Sequence, residues 1–375
     1  MRLLIISHTE HYKKTDGTIV GWSPTVNEIN HLASHFESIT HVAMLHSGIA
    51  PKSSAAYSHD NIHFVALPVL GGASIFSKLK SILYIPKVIS MVRKSIRNAD
   101  AFQLRTPTGI GVYLIPYLTW FSQKKGWYKY AGNWNQERPP LGYRLQRWLL
   151  KNQSRTVTIN GAWPNQPKHC LTFENPCLTE DDLTKGKTVI SQKQLEDKLN
   201  FCYVGRLETP KGVGRIIEAF NSLTEIQKSS LGDVHLVGDG KEKAKFELKA
   251  QSSDINFKFH GYLNREAVFD IYKRSHFFLM PTSASEGFPK VIAEASNYGC
   301  TPIVADVSAI AQYVKDGENG YIVSPITSEG MLLQLQRALQ LSTEDYSNLL
   351  MHSQDFAKRF TFEHYTQRIL SELLS

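Results

Sequence analysis

Twelve short apolar runs, each rich in β-forming residues and closed by a turn, punctuate this chain. Six lie in the first half: Leu3–Ser7, His41–Leu45, Ile62–Pro68, Ala101–Arg105, Tyr128–Ala131 and Thr156–Ile159. Six lie in the second: Phe201–Gly205, Val234–Gly238, Ile255–His260, Phe277–Met280, Thr301–Ala305 and Tyr321–Val323. Stretches with helical spacing, such as Thr25–Phe36, Val213–Leu223 and Arg265–Arg274, fall between many of them. Strand runs alternating with helices read as parallel α/β units. Two such sets predict two doubly wound, Rossmann-like domains facing a central cleft, and 375 residues suit two domains of roughly 100–200 each. The expected division is 1–185, 186–355 and a C-terminal amphipathic helix over 356–375 that either packs back on the first domain or caps its own. The expected linker is Leu178–Gln194, where charged residues break the apolar pattern. Ligands of open parallel sheets bind beyond the carboxyl ends of the strands, so the cleft is the expected site.

Composition narrows the class. Residues 1–185 carry 21 Lys and Arg against 11 Asp and Glu, whereas residues 186–375 carry 21 against 23. The first half is therefore basic, which suits an anionic partner or simply a solvated basic face. Four cysteines without paired or metal-finger spacing favour a reducing cytoplasm. The N-terminal apolar run is too short for a secretory signal, and Gly109–Phe121 is too short to span a bilayer. No groove-reading helix or nucleic-acid module is present, so nucleic acid is not an expected partner. No Gly-x-Gly-x-x-Gly follows the first strand of either half, which disfavours a dinucleotide-dependent oxidoreductase.

Two segments carry chemistry. In Pro281–Gly299 a strand ends, a small polar loop follows, and a helix starts near Pro289, a residue tolerated in a first helical turn. The backbone N–H groups of Gly287, Phe288, Lys290 and Val291, with Pro289 among them supplying none, then lie at a helix N-terminus that suits an anion. Glu294 in the early helix can accept two hydrogen bonds from a vicinal diol, and Glu286 in the loop can reach a sugar hydroxyl. In Tyr203–Gly212, Arg206 and Lys211 bracket a turn at a strand's carboxyl end, a pair of cations that suits a diphosphate. The competing interpretations are a plain helix start with an exposed glutamate, and two solvated surface cations.

Together these segments resemble glycosyltransferase family 4, the retaining, nucleotide-sugar-dependent enzymes of the GT-B fold. The resemblance covers about residues 200–325 and rests on Gly205-Arg206-Leu207 with Lys211-Gly212, Val237-Gly238-Asp239-Gly240, Glu286 with Glu294, and Asp316–Gly320. It implies that Arg206 and Lys211 hold the donor diphosphate and stabilise the leaving group, with preorganised charge where charge develops. It implies that Glu294 binds the ribose, Glu286 the transferred sugar, the Gly287–Lys290 amides the sugar and distal phosphate, and Gly261-Tyr262 the base. It implies retention of configuration, no cofactor and no divalent metal, with a hexosyl group moved from a nucleotide sugar to a saccharide. A nucleotide-sugar epimerase or a silent sugar-nucleotide-binding protein on the same fold is the alternative.

The first domain matches less closely. Its loop after the first strand carries isolated glycines, of which Gly21 is the candidate for approaching the donor phosphate. Gln103-Leu104-Arg105 stands where family members have a histidine near the donor sugar, and Arg105 is a candidate for touching donor or an anionic acceptor. His8, expected to end the first strand and face the cleft, fits the acceptor base of an inverting enzyme or a structural histidine. The loop Asn133–Pro140, with Asn133 and Asn135, is a second acceptor candidate. The stretch Ile75–Arg97 mixes helical apolar spacing with six cations, which suits either an anionic membrane surface or an ordinary Rossmann helix. A lipid-linked saccharide acceptor in bacterial surface polysaccharide synthesis, met by a cytoplasmic protein peripheral to the inner membrane face, would account for the charge and for Trp120, Trp127 and Trp134.

Overall fold

A computed structural model describes residues 1–71 and 82–375 as two compact units. The first comprises Met1–Asn175 and Phe362–Ser375, the second Pro176–Thr361. In the first unit the strands are β1 (Arg2–Lys13), β2 (Ile19–Trp22), β3 (Ser38–His46), β4 (Ser54–Ala56), β5 (Ile62–Leu67), β6 (Ala101–Thr106), β7 (Lys125–Tyr130), β8 (Val157–Ile159) and β9 (Cys170–Thr172). Seven of them run parallel in the order β5-β3-β1-β6-β7-β8-β9. The first six of these are laid out 3-2-1-4-5-6, the Rossmann order. The pleat divides the apolar residues of β1 between two cores. Leu4 and Ile6 face a layer holding Val88, Val92, Leu114, Ile115 and Leu150. Leu3 and Ile5 face Ile29, Leu32, Tyr365, Ile369 and Leu373.

The second unit holds β10 (Leu199–Val204), β11 (Leu231–Val237), β12 (Phe257–Gly261), β13 (Phe277–Met280), β14 (Thr301–Ala305) and β15 (Tyr321–Val323). All six are parallel in the order β12-β11-β10-β13-β14-β15, again 3-2-1-4-5-6. The topological switch point therefore lies between β10 and β13. Phe201, Tyr203, Val234, Leu236, Phe277 and Leu279 form the inner face of one core with Ile216, Ile217, Phe220 and Leu335 of the covering helices. Among the described residues no helix is long and apolar enough to cross a membrane.

Four expectations are corrected here. The stretch around Leu178–Gln194 is not an open linker but largely a helix, Glu180–Gln192. Thr179 and Asp182 form a capping box there, and three acids in the first turn complement the helix dipole. The change of unit comes earlier, at Asn175/Pro176. The C-terminal segment is not one helix: Ser353–Lys358 is followed by a break and then by Phe362–Arg368, which continues through Ile369–Leu373. Its apolar residues divide accordingly. Phe356 and Phe360 pack with Phe288 in the second unit, while Tyr365, Ile369, Leu373 and Leu374 complete a core of the first. Strand β1 runs on past His8, so that histidine lies within a strand, at a register shift against β3. Finally, Trp127 and Trp134 are buried in the first unit, which leaves Trp120 as the exposed one of the three.

The basic stretch Ile75–Arg97 lies partly outside the described residues. The part that is described forms the helix Ile85–Arg97, whose apolar stripe, Val88, Val92 and Ile96, is buried in the core. Its cations Lys87, Arg93, Lys94 and Arg97 lie on the exposed side.

Candidate functional site

At the carboxyl edge of the second sheet, three glycine-bearing turns lock together because their backbones approach more closely than side chains allow. The Gly205 N–H donates to Val237 O at 3.0 Å, Leu207 N–H to Asp239 O at 2.9 Å, and Gly238 N–H to Gly261 O at 2.8 Å. Gly238 has φ of 129°, and a Cβ there would stand 1.9 Å from Gly205 O. At the switch point the turn after β10 is pinned to the loop after β13. Ser283 N–H donates to Pro210 O at 2.8 Å, and Arg215 Nε donates to Pro281 O at 2.9 Å. Gly212, with φ of 94°, would place a Cβ 2.4 Å from the same Pro281 oxygen. Only glycine permits that approach.

This joinery brings the expected charged residues of the second unit to one edge. Lys211 is buried, and its ammonium is paired with the Glu286 carboxylate. Arg206 is two-thirds exposed (67%) and makes a long contact of 3.3 Å to Glu208, so its guanidinium is available. Its carbonyl is held by the Tyr203 hydroxyl at 2.7 Å, which fixes the backbone from which it projects. The amide of Glu286 donates to Ser308 Oγ at 3.2 Å.

The helix Lys290–Asn297 follows, with Pro289 as its N-cap and no side-chain capping bond. Its first-turn amides face the loop without a competing side-chain oxygen. Phe288 contributes backbone only, because its ring is buried against Phe360 and Tyr313. Burial raises the Glu294 pKa, against the lowering influence of Arg265 and Lys290. The Glu294 carboxylate makes no hydrogen bond among the described residues, so its acceptor capacity is unspent. Gly261, at φ of 66°, closes β12, and the adjoining Tyr262 ring is exposed.

Three further residues shape this edge without having been singled out from the sequence. Glu242 accepts from the Thr209 amide and from its hydroxyl, and these bonds lower its pKa to about 2. Arg215, one helical turn beyond Lys211, ties the two loops as described. Arg265 grips Asp182 through two bonds of 3.2 and 2.6 Å and supplies positive potential near Glu294. Glu242 follows the Val237–Gly240 turn closely, and that proximity was the available signal. The Asp316–Gly320 turn, by contrast, precedes β15 and so lies at the opposite, amino end of the strands. Asp316 there accepts from Ile322 N–H at 2.8 Å and pairs with Arg337, a structural turn.

In the first unit the candidates do not converge. Gly21 is corrected: the expected open loop is a hairpin of β1 and β2, and Gly21 is paired with His11. A Cβ at Gly21 would meet the His11 imidazole at 2.3 Å, so the missing side chain makes room for that ring. The ring belongs to a buried chain: Ser7 Oγ and His41 Nε2 at 2.8 Å, His41 Nδ1 and the Tyr57 hydroxyl at 2.6 Å, that hydroxyl and His11 Nε2 at 2.9 Å. Arg105 is engaged within the first unit. Its guanidinium is held 2.5 Å from the buried Glu28 carboxylate, which also receives Lys129 at 2.7 and 2.8 Å and the Tyr365 hydroxyl at 2.9 Å. His8 Nε2 pairs with Leu70 O at 3.0 Å, and burial lowers its pKa. Asn133 Oδ1 accepts from Asn135 N–H at 3.0 Å, and Arg147 steadies their loop by donating to Trp134 O and Gln136 O.

Comparison with known proteins agrees with the geometry of the second unit. Residues 187–350 match the family described as Glycosyl transferases group 1. The chain is 26% identical over 193 residues to the lipopolysaccharide 1,6-galactosyltransferase of Salmonella typhimurium, which covers 50% of this chain and 53% of that protein. It is 28% identical over 166 residues to the amylovoran biosynthesis glycosyltransferase AmsD of Erwinia amylovora, covering 44% of each. The chain thus spans about half the length of the curated relatives it matches. The Anabaena protein HepE, solved in complex with UDP and glucose, superposes with a TM-score of 0.67 over 100% of both chains at 15% identity, a likeness of fold. Residues 187–350 thus match the glycosyl transferases group 1 family, in a chain with the α/β, GT-B type of fold.

Proposed function

We propose that this protein is a retaining hexosyltransferase that moves a sugar from a nucleoside-diphosphate sugar to a saccharide or lipid-linked saccharide in bacterial surface polysaccharide synthesis. The observation that carries the proposal is the pairing of Lys211 with Glu286 at the switch point of the second sheet, with Arg206 in the turn after β10 and Glu294 in the helix that follows Glu286. Breaking the bond between sugar and diphosphate leaves negative charge on the phosphate. Two cations and the N-terminus of helix Lys290–Asn297 meet that charge, so we infer that no divalent metal is required. Lys211 and Glu286 neutralise each other in the free protein. Donor binding exchanges that pair for phosphate on Lys211 and a sugar hydroxyl on Glu286, which keeps the buried ammonium compensated throughout. Glu294 takes the ribose diol and Tyr262 lies against the base. The acceptor is assigned to the first unit, and the protein to the cytoplasm, peripheral to the inner face of the membrane. The lipopolysaccharide and amylovoran transferases among its relatives support this pathway.

Thermal melting against UDP, GDP, ADP and their sugars, with and without EDTA, tests the reading. One nucleotide should raise Tm, by an amount that grows with the logarithm of its concentration and is unchanged by EDTA. Glu294→Ala should abolish the shift, and Arg206→Ala should mainly lower turnover. No shift from any nucleotide, or wild-type behaviour in both variants, would overturn the assignment.

A further inference from the structure

The first unit carries a helix with two apolar faces, of which the fold uses one. Helix Leu141–Lys151 is anchored inward by Leu150 and by Gln146, whose amide bonds the Thr108 backbone at 3.1 and 2.9 Å. Outward it presents Leu141, Leu145 and Trp148, spaced i, i+4 and i+7 on one side. Leu141 is 74% exposed and Trp148 59%. The neighbouring helix Gly111–Phe121 ends in Trp120 and Phe121, exposed by 69% and 75%. The two helices pack together, with Gly142 against Val112, and Arg155 donates to the carbonyls of Ser122 and Lys124 just past their ends. Apolar residues of this size, aligned and unused by the core, mark a partner surface.

The charge of the surroundings identifies the partner. From residue 120 to 155 the chain has eight Lys and Arg residues and one acid, Glu137. Arg144 and Lys151 lie on the exposed side of the helix among the apolar residues, and Arg144 has no ion pair among the described residues. Tryptophan and leucine set among lysine and arginine suit the head-group region of an anionic bilayer. A protein-binding patch would instead be depleted in lysine at its centre. The basic helix Ile85–Arg97, by contrast, spends its apolar stripe on the core.

We propose that the outward face of helix Leu141–Lys151, with the Trp120–Phe121 end of its neighbour, docks on a membrane rich in anionic phospholipid. This deepens the proposed use of a lipid-linked acceptor, and it rests on that reading for why the protein is drawn to a membrane.

Flotation of the full chain with vesicles of phosphatidylglycerol and phosphatidylcholine, against phosphatidylcholine alone, tests it. Wild type should float with the anionic vesicles only and be released by salt. Leu141→Ser/Leu145→Ser/Trp148→Ser should lower the partition coefficient about tenfold or more. Arg144→Gln/Lys151→Gln should lower it about thirtyfold, at about 1 kcal/mol per cation. All these positions are exposed, so the variants should keep the wild-type melting temperature and nucleotide-induced shift. Variants that float like wild type would overturn the proposal. So would a wild type that does not float, including one whose apolar residues instead hold a dimer seen by light scattering. A wild type that fails to float while its nucleotide shift is intact counts against the surface alone. A missing nucleotide shift in wild type counts against the transferase reading and leaves the flotation result standing.

Discussion

Replacing Glu28 by glutamine should destabilise the first unit severely, because one carboxylate there serves three partners. Glu28 is 2% exposed and Lys129 4%, and the carboxylate receives both Lys129 contacts, the Tyr365 hydroxyl and Arg105. The amide retains a single acceptor oxygen and turns an NH2 toward a cation, so a buried ammonium loses its counter-charge. Removing one partner of a buried pair costs about 3–5 kcal/mol. With a urea dependence of about 2 kcal/mol per molar, the midpoint should fall by about 2 M. Tryptophan fluorescence isolates this transition. All six tryptophans lie between positions 22 and 163, so the signal comes from the first unit even where the second unfolds separately. Glu28→Gln/Lys129→Met, which removes the charge on both sides, should recover a large part of the loss. A midpoint shift below about 0.3 M for the single variant would refute the argument, and Arg105 would return as a ligand-binding candidate.

The same fluorescence should report an acid transition. Burial holds the His11 pKa down at about 4 and that of His41 well below its ordinary value, so both are neutral when folded and take up protons on unfolding. Their contribution is complete above pH 6.5 and is lost as pH falls toward 4, about 3 kcal/mol for His11 alone, and a stability flat across that window would contradict it. Gly238→Ala, which drives a Cβ into Gly205 O, should cost on the order of 3 kcal/mol by urea melts followed by circular dichroism, and should abolish the nucleotide-induced rise in Tm. Glu294 titrates above the ordinary glutamate range, so nucleotide affinity measured by calorimetry should already weaken on acidification above pH 4.5. Glu294→Gln should bind more weakly and lose that pH dependence.

The regular strands were legible because their apolar runs are short, dense and bounded by turns. Phe277–Met280, Thr301–Ala305 and Tyr321–Val323 stand where the pattern placed them. Strands β2, β4 and β9 escaped notice; Ser54-Ala55-Ala56, for one, has no dense apolar run and is a strand only through its pairing with β2. The donor edge of the second unit was legible for a different reason. Its glycines and charges are consecutive along the chain, and a parallel sheet carries every strand's carboxyl end to one side. The first unit offered no such shortcut. Arg105 looked like a ligand because its counter-ion, Glu28, lies far away in sequence, and the Tyr365 that completes the cluster is farther still. Gly21 looked like a phosphate cradle because nothing in the linear order reveals that His11 folds back against it.

The return of residues 362–375 to the first unit has a consequence for synthesis. A ribosome delivers the whole second unit before Tyr365, Ile369 and Leu373 emerge, so the unit begun first is finished last. Until then Leu3, Ile5, Ile29 and Leu32 lack part of their cover, and Glu28 and Lys129 lack the hydroxyl that joins them. A nascent chain arrested before position 362 therefore presents a sticky, half-built first unit beside a completed second one, the state in which a chaperone would meet this protein.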